Sequence, residues 1–142
     1  MRRDLLARLG VQLPVLPTIV LGGLPGGAGW ARRLERLGLD VVASGALPDT
    51  PETWDAARRA APHRPVKAVA GDAAALTAAG CALIEGDVAA PPGAYVLGPA
   101  EPAVAGVDAS AGPEDPDAVA ERVLTATSVV APAELWVTAG PG

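Results

Sequence analysis

Pro65-Val-Lys-Ala-Val-Ala-Gly-Asp-Ala-Ala-Ala-Leu-Thr-Ala-Ala-Gly-Cys-Ala-Leu-Ile-Glu85 reads as one strand–helix–strand unit, and its reading decides the fold. Residues 65–70 form a short apolar run of strand length. Asp72 then stands where a helix N-cap belongs, because its carboxylate can accept from the first free backbone amides. The Ala-rich run behind it favours helix, and Gly80 ends it. Cys81-Ala-Leu-Ile-Glu85 supplies the next strand.

The same alternation continues towards the amino end. Thr18–Leu21 is expected as a strand between Pro17 and Gly22-Gly23, followed by a helix over 29–38 with Trp30, Leu34 and Leu37 at helical spacing. Asp40–Ser44 is a second strand. Thr50-Pro51-Glu52-Thr53 opens a helix that Pro62 closes; Thr50 caps it, Pro51 suits the first helical position, and Thr53 stands where a capping box would carry Glu. Towards the carboxyl end the rhythm changes. Ala94–Leu97 and Ala103–Val107 read as strands, but the links at 86–93 and 98–102 are too short for helices. A helix returns over 117–127, entered through Pro113-Glu-Asp-Pro116, and Glu134–Thr138 is a last strand.

Alternating βα units predict a parallel sheet with helices packed on its outer face. A complete eight-unit barrel takes about 200 residues or more, and parallel neighbours normally need crossovers of about a dozen residues. The 142 residues here fit one α/β domain, 1–142. The expected fold is a reduced TIM-barrel-like parallel sheet with several helices missing; the alternative is an open doubly wound sheet.

Composition narrows the function. Half of the residues are apolar, yet Trp30, Trp54, Trp136 and Tyr95 are the whole aromatic set, so Ala, Val and Leu must fill the core. The net charge of −5 and the scattered basic pairs Arg2-Arg3, Arg32-Arg33 and Arg58-Arg59 argue against nucleic acid. One cysteine, Cys81, excludes an internal disulfide and a multi-cysteine metal cage. Asp4 and Arg8 interrupt the first apolar stretch as a signal core, and Pro14 and Pro17 interrupt the next run, which is too short to span a bilayer. The expectation is a cytoplasmic protein without a membrane partner.

Three segments carry a resemblance. Leu16-Pro-Thr-Ile-Val-Leu-Gly-Gly-Leu-Pro25 is similar to the opening strand L-P-T-x-x-[IL]-G-S-F-P of cobalamin-independent methionine synthases. Ala79-Gly-Cys-Ala-Leu-Ile-Glu-Gly-Asp87 resembles their A-G-x-x-x-[IV]-Q-[IL]-D-E-P. Gly106-Val-Asp-Ala-Ser110, Val119-Ala-Glu-Arg-Val123 and Pro132-Ala-Glu-Leu-Trp-Val-Thr138 follow the order of their last motifs. The resemblance implies a barrel of the methyltransferase type, with Asp87 at the position that meets the substrate amine. It also implies the loss of zinc. The family's His-x-Cys pair has no counterpart, Pro141 stands where a late Cys would, and Gly23 replaces a substrate-binding Ser.

Residues at the carboxyl ends of the strands, where sites of α/β barrels gather, form the candidate site. Asp87, Glu85 and Asp108 are the candidate catalytic acids; Gly22, Gly23, Ser44, Ser110 and Thr138 are candidate substrate contacts. Glu85 and Asp87, two apart on a strand, are expected on one face at roughly 7 Å. Paired carboxylates can divide acid and base roles or hold an ammonium group. Cys81 and His63 are expected at the opposite end of the sheet, so no metal site is expected and no cofactor beyond a folate-like ligand. The plainer readings are that Asp72 is only a cap, that the Gly-rich turn 22–29 is only a tight turn, and that the three Trp residues pack.

Two functions stay open at this point. One is a small-molecule site for an amino-acid or folate-like compound, with zinc-free chemistry related to methyl transfer. The other is a non-catalytic subunit that docks on a partner protein, or in a homo- or hetero-oligomer, through sheet surface left bare by the missing helices. Methyl transfer with a metal borrowed across an oligomer interface is a third, narrower reading.

Overall fold

A computed structural model describes residues 2–14, 17–20, 28–98, 104–106 and 113–138. Within them lie helices α1 (Arg2–Arg8), α2 (Ala28–Arg36), α3 (Pro51–Ala60), α4 (Ala73–Ala78) and α5 (Pro116–Thr127). The strands are β1 (Thr18–Ile19), β2 (Val42–Ala43), β3 (Val66–Val69), β4 (Leu83–Glu85), β5 (Tyr95–Leu97), β6 (Val104–Gly106) and β7 (Trp136–Thr138). All the strand pairs are parallel. The protein is therefore an α/β fold with parallel sheets, as the alternation predicts.

Strand order distinguishes the two expected architectures. One ladder runs β1-β7-β6 and the other β2-β3-β4-β5, and a parallel bridge between Ile19 and Val41 joins them. The joined order is β6-β7-β1-β2-β3-β4-β5. Apart from β5 and β6, each strand lies beside its neighbour in sequence, and β7 lies beside β1; no β5–β6 pairing is present among the described residues. A doubly wound sheet reverses direction at a switch point, and this order contains no such reversal. It is the order of strands in a rolled sheet.

Side chains alternate across the strands to make two cores. Val42, Val66, Ala68 and Ile84 face outward onto Ala31 and Leu34 of α2, Trp54 and Ala57 of α3, and Leu76 of α4. Ile19, Val41, Leu83, Leu97 and Trp136 form the second cluster with Leu6 of α1. That cluster contains residues of β5 and β7, which lie far apart in the strand order, so the sheet curves around it. Of the helices expected to be missing, the one between β4 and β5 is absent, residues 86–94 connecting the strands through turns, and the link at 98–102 lies largely outside the described residues. The sheet face that the absent helix would cover is not bare there, because Val96 packs against the outer cluster.

Local chemistry explains the element ends. Thr50 and Thr53 form a reciprocal capping box, with the Thr53 amide on Thr50 Oγ1 at 3.2 Å and the Thr50 amide on Thr53 Oγ1 at 2.9 Å. A hydroxyl thus does the work of the usual Glu. Asp72 caps α4 by accepting from the Ala75 amide at 3.1 Å. At the seam between the ladders, Asp40 Oδ2 accepts from the Thr18 amide (2.8 Å) and hydroxyl (2.9 Å), and the Asp40 amide donates to Thr18 Oγ1 at 3.0 Å. The helix α1 is an element that the sequence pattern did not predict. Among the described residues no helix is long and apolar enough to cross a membrane.

Candidate functional site

Position 67 breaks the apolar run of β3 with a lysine, and alternation decides where that lysine goes. Val66 and Ala68 face the helices, so Lys67 faces the interior with Leu83 and Glu85 of β4. In register, Ala68 pairs with Ile84 and Val69 with Glu85. The side chain of Lys67 therefore climbs towards the carboxyl end of the sheet to reach the Glu85 carboxylate, with which it forms an ion pair. The Lys67 side chain is 0% exposed and that of Glu85 is 21% exposed, so the pair has one dry partner and one that touches water. Burial pulls the Lys67 ammonium below its ordinary proton affinity, while Glu85, and behind it Asp49, push the other way.

Asp49 is the third charged group at this end. It sits 3% exposed in the loop between β2 and α3. Its carboxylate accepts from the Val69 amide at 2.8 Å, from the Thr53 hydroxyl at 2.8 Å, and from the Ser44 hydroxyl. Its own amide donates to the Val69 carbonyl at 2.9 Å. Each buried acceptor is thus matched by a donor, as a charge taken out of water requires. The result is a polar layer at the carboxyl ends of β2, β3 and β4, above the apolar cluster of Ile19, Val41, Leu83, Leu97 and Trp136.

The expected site residues divide among three fates. Glu85 lies in the polar layer. Ser44 is buried there too, but its hydroxyl donates to Asp49 and accepts from the Ala46 amide at 3.1 Å, so it supports the layer from inside. Asp87 does not share a strand face with Glu85. Strand β4 ends at Glu85, and Asp87 is exposed in the following turn. Gly86 makes that turn: a Cβ there would come within 2.9 Å of the Ala70 Cβ, just past the end of β3, so a larger residue forces one of the two segments to shift. Gly22, Gly23, Asp108 and Ser110 lie outside the described residues. Thr138 ends β7, paired with Ile19 and Gly106, and its side chain is outside them as well.

Lys67 and Asp49 are the functional candidates that sequence reasoning missed. One signal for Lys67 was present: it is the only lysine in a chain whose other basic side chains are all Arg, and it stands inside a strand of a sheet buried on both faces. Asp49 gave no such signal, because an acid just before a capping Thr looks like part of the cap.

The remaining polar groups do not converge. Cys81 is buried just before β4, its thiol donating to the Leu83 carbonyl at 3.3 Å, and burial pushes its pKa up to about 11. His63 is exposed, and its amide donates to Glu35 Oε1 at 2.7 Å. Among the described residues no three His, Cys, Asp or Glu side chains come together as metal ligands. Trp54 packs as expected and donates from Nε1 to the Val66 carbonyl at 2.9 Å. Trp30 is only half-buried, with the Arg33 guanidinium 5.2 Å from its ring centre. Comparison with protein-family models, with curated proteins and with solved structures finds no match.

Proposed function

We propose that the protein binds a small zwitterionic compound of the amino-acid class at the carboxyl ends of β2–β4, without a metal. The observation that carries this reading is the buried Lys67–Glu85 pair, set over an apolar floor. A zwitterion presents the complementary charges: its carboxylate takes the place of Glu85 on Lys67, and its ammonium takes the place of Lys67 on Glu85. Replacing one largely buried ion pair by two keeps every charge compensated, which is the condition for burying it. The apolar floor suits an aliphatic or thioether side chain. The resemblance to cobalamin-independent methionine synthases supports the same ligand class, and folate-like compounds, which carry a glutamate carboxylate, belong in the same panel. Zinc-free chemistry related to methyl transfer and a cytoplasmic setting go with this reading; the free Cys81 thiol suits a reducing compartment.

Titration calorimetry with methionine, homocysteine, other amino acids and folates tests it. The expected result is saturable heat with at least one of them, lost in Lys67→Met. No heat and no rise in melting temperature with any compound would defeat it. A second reading, a subunit that docks on another protein or on its own copy, is favoured by α5, which buries none of its residues and leaves Leu124 67% exposed. Light scattering and a pull-down separate the two: a concentration-independent monomer that captures no partner and still binds a zwitterion leaves only the first.

A further inference from the structure

A lysine is the one basic side chain that becomes a nucleophile when it loses its proton, since arginine stays charged at any ordinary pH. Here the single lysine of the chain is the one placed inside the sheet, fully out of water. Glu85 touches its nitrogen and is itself a fifth exposed, so it can exchange protons between that nitrogen and the mouth of the sheet. Asp49 cannot compete for this task. Ser44, Thr53 and the Val69 amide already occupy its oxygens, which holds it in place apart from the Lys67 nitrogen. The floor below, with Leu83, Leu97 and Trp136, excludes water from the reacting atoms.

We propose that Lys67 forms an imine with the carbonyl group of a small aldehyde or 2-oxo acid, with Glu85 moving the protons. This rests on the ligand site proposed above; a 2-oxo acid is the carbonyl counterpart of an amino acid. Glu85 first takes a proton from the Lys67 ammonium. The neutral Nζ attacks the carbonyl carbon, the C–N bond forms, and the carbonyl π pair moves to oxygen, which takes the proton from Glu85. Glu85 then removes a proton from nitrogen and returns it to the hydroxyl. Water leaves as the C–O bond breaks, and the nitrogen lone pair closes the C=N bond. One ammonium and one carbonyl become one iminium and one water, with no change in net charge or oxidation state. The iminium stays beside Glu85 and near Asp49, so the cation that replaces the ammonium is held by the same acids. The lowered proton affinity of Lys67 assists the first step.

Glyoxylate with borohydride, read by peptide mass mapping, tests the proposal on the intact chain. Reduction of the imine leaves a carboxymethyl group on Lys67, and the α-amino group is the internal reference. At neutral pH the folded protein is expected to be labelled at Lys67 faster than the urea-unfolded chain, because burial lowers the proton affinity of the lysine and Glu85 stands beside its nitrogen only in the folded state. Glu85→Gln is expected to slow this labelling about a hundredfold, the usual size of an acid–base contribution. Labelling of folded Lys67 slower than in the unfolded chain overturns the proposal, and labelling of Glu85→Gln at the parent rate overturns the role of Glu85. Lys67→Arg keeps the cation and removes the nucleophile. Zwitterion heat without any Lys67 adduct in the parent protein defeats the imine alone, an adduct without heat defeats the zwitterion ligand alone, and neither signal defeats both.

Discussion

Glu85→Gln should destabilise the protein more than Lys67→Met, although Lys67 is the more deeply buried of the two. Removing one partner of a buried ion pair costs about 3–5 kcal/mol, because the other charge is left uncompensated. In Glu85→Gln the charge left behind is an ammonium with 0% exposure. The amide oxygen still accepts from Nζ, so a cost of about 2–3 kcal/mol is expected, somewhat below that range. In Lys67→Met the carboxylate left behind is 21% exposed and can turn towards water, while Met refills the apolar space. A cost of about 1 kcal/mol follows, in the range of exposed pairs. The pH dependence gives a second check. Burial lowers the proton affinity of Lys67, and Glu85 opposes that fall. In Glu85→Gln the folded state therefore sheds the proton at lower pH than the parent, while the unfolded state holds it to about the ordinary 10.5. Below the folded value both states are protonated and the penalty is complete. Between the two values the unfolded chain binds more protons, so stability rises with pH. Urea unfolding followed by the fluorescence of buried Trp54 and Trp136, from pH 6 to 10, measures both effects. A Lys67→Met variant less stable than Glu85→Gln at pH 7, or a Glu85→Gln penalty that grows with pH, would refute the reasoning.

Asp40→Ala removes an acceptor of two hydrogen bonds at the seam of the two ladders, and a loss of about 2 kcal/mol is expected in equilibrium unfolding. Exposed Asp4→Ala, as control, should stay within about 0.5 kcal/mol of the parent. Gly86→Ala drives a methyl group into Ala70 and should cost about 1–3 kcal/mol, with most of the loss recovered in the Ala70→Gly/Gly86→Ala double variant. The Cys81 thiol, pushed up by burial to about 11 from 9.0, stays protonated in the folded chain where the unfolded chain ionises. Its contribution to stability is therefore lost as pH rises from about 9 to about 11, and Cys81→Ala should flatten that fall. A thiol reagent at pH 8 should react with folded Cys81 far more slowly than with the unfolded chain.

The strand positions were legible because each lies in a short apolar run fenced by Gly, Pro or a capping acid. The link 86–93 also announced its lack of a helix by length alone. Short periodic runs did not announce α1, whose Arg2, Arg3, Asp4 and Arg8 mask the single core residue, Leu6. The site was only partly legible. Glu85 was visible as an acid at a strand end, but its partner lies 18 residues earlier in the neighbouring strand, and only sheet register brings the two together. Asp87 was expected beside Glu85 because a period of two assumes that the strand continues. Gly86 ends it, and the reason, contact with Ala70, is tertiary. Asp49 acquires its meaning from Val69, 20 residues away, which no local pattern encodes.

The placement of α1 has a consequence for traffic through the molecule. Leu6 enters the interior cluster at 1% exposure, and Val11 and Leu13 behind it pack against the same cluster. The helix thereby covers the interior cluster from the side away from the polar layer of Lys67, Glu85 and Asp49. A compound that reaches Lys67 therefore meets Glu85 first, the partner that touches water, and a bulky one held at that carboxylate would keep others from the lysine.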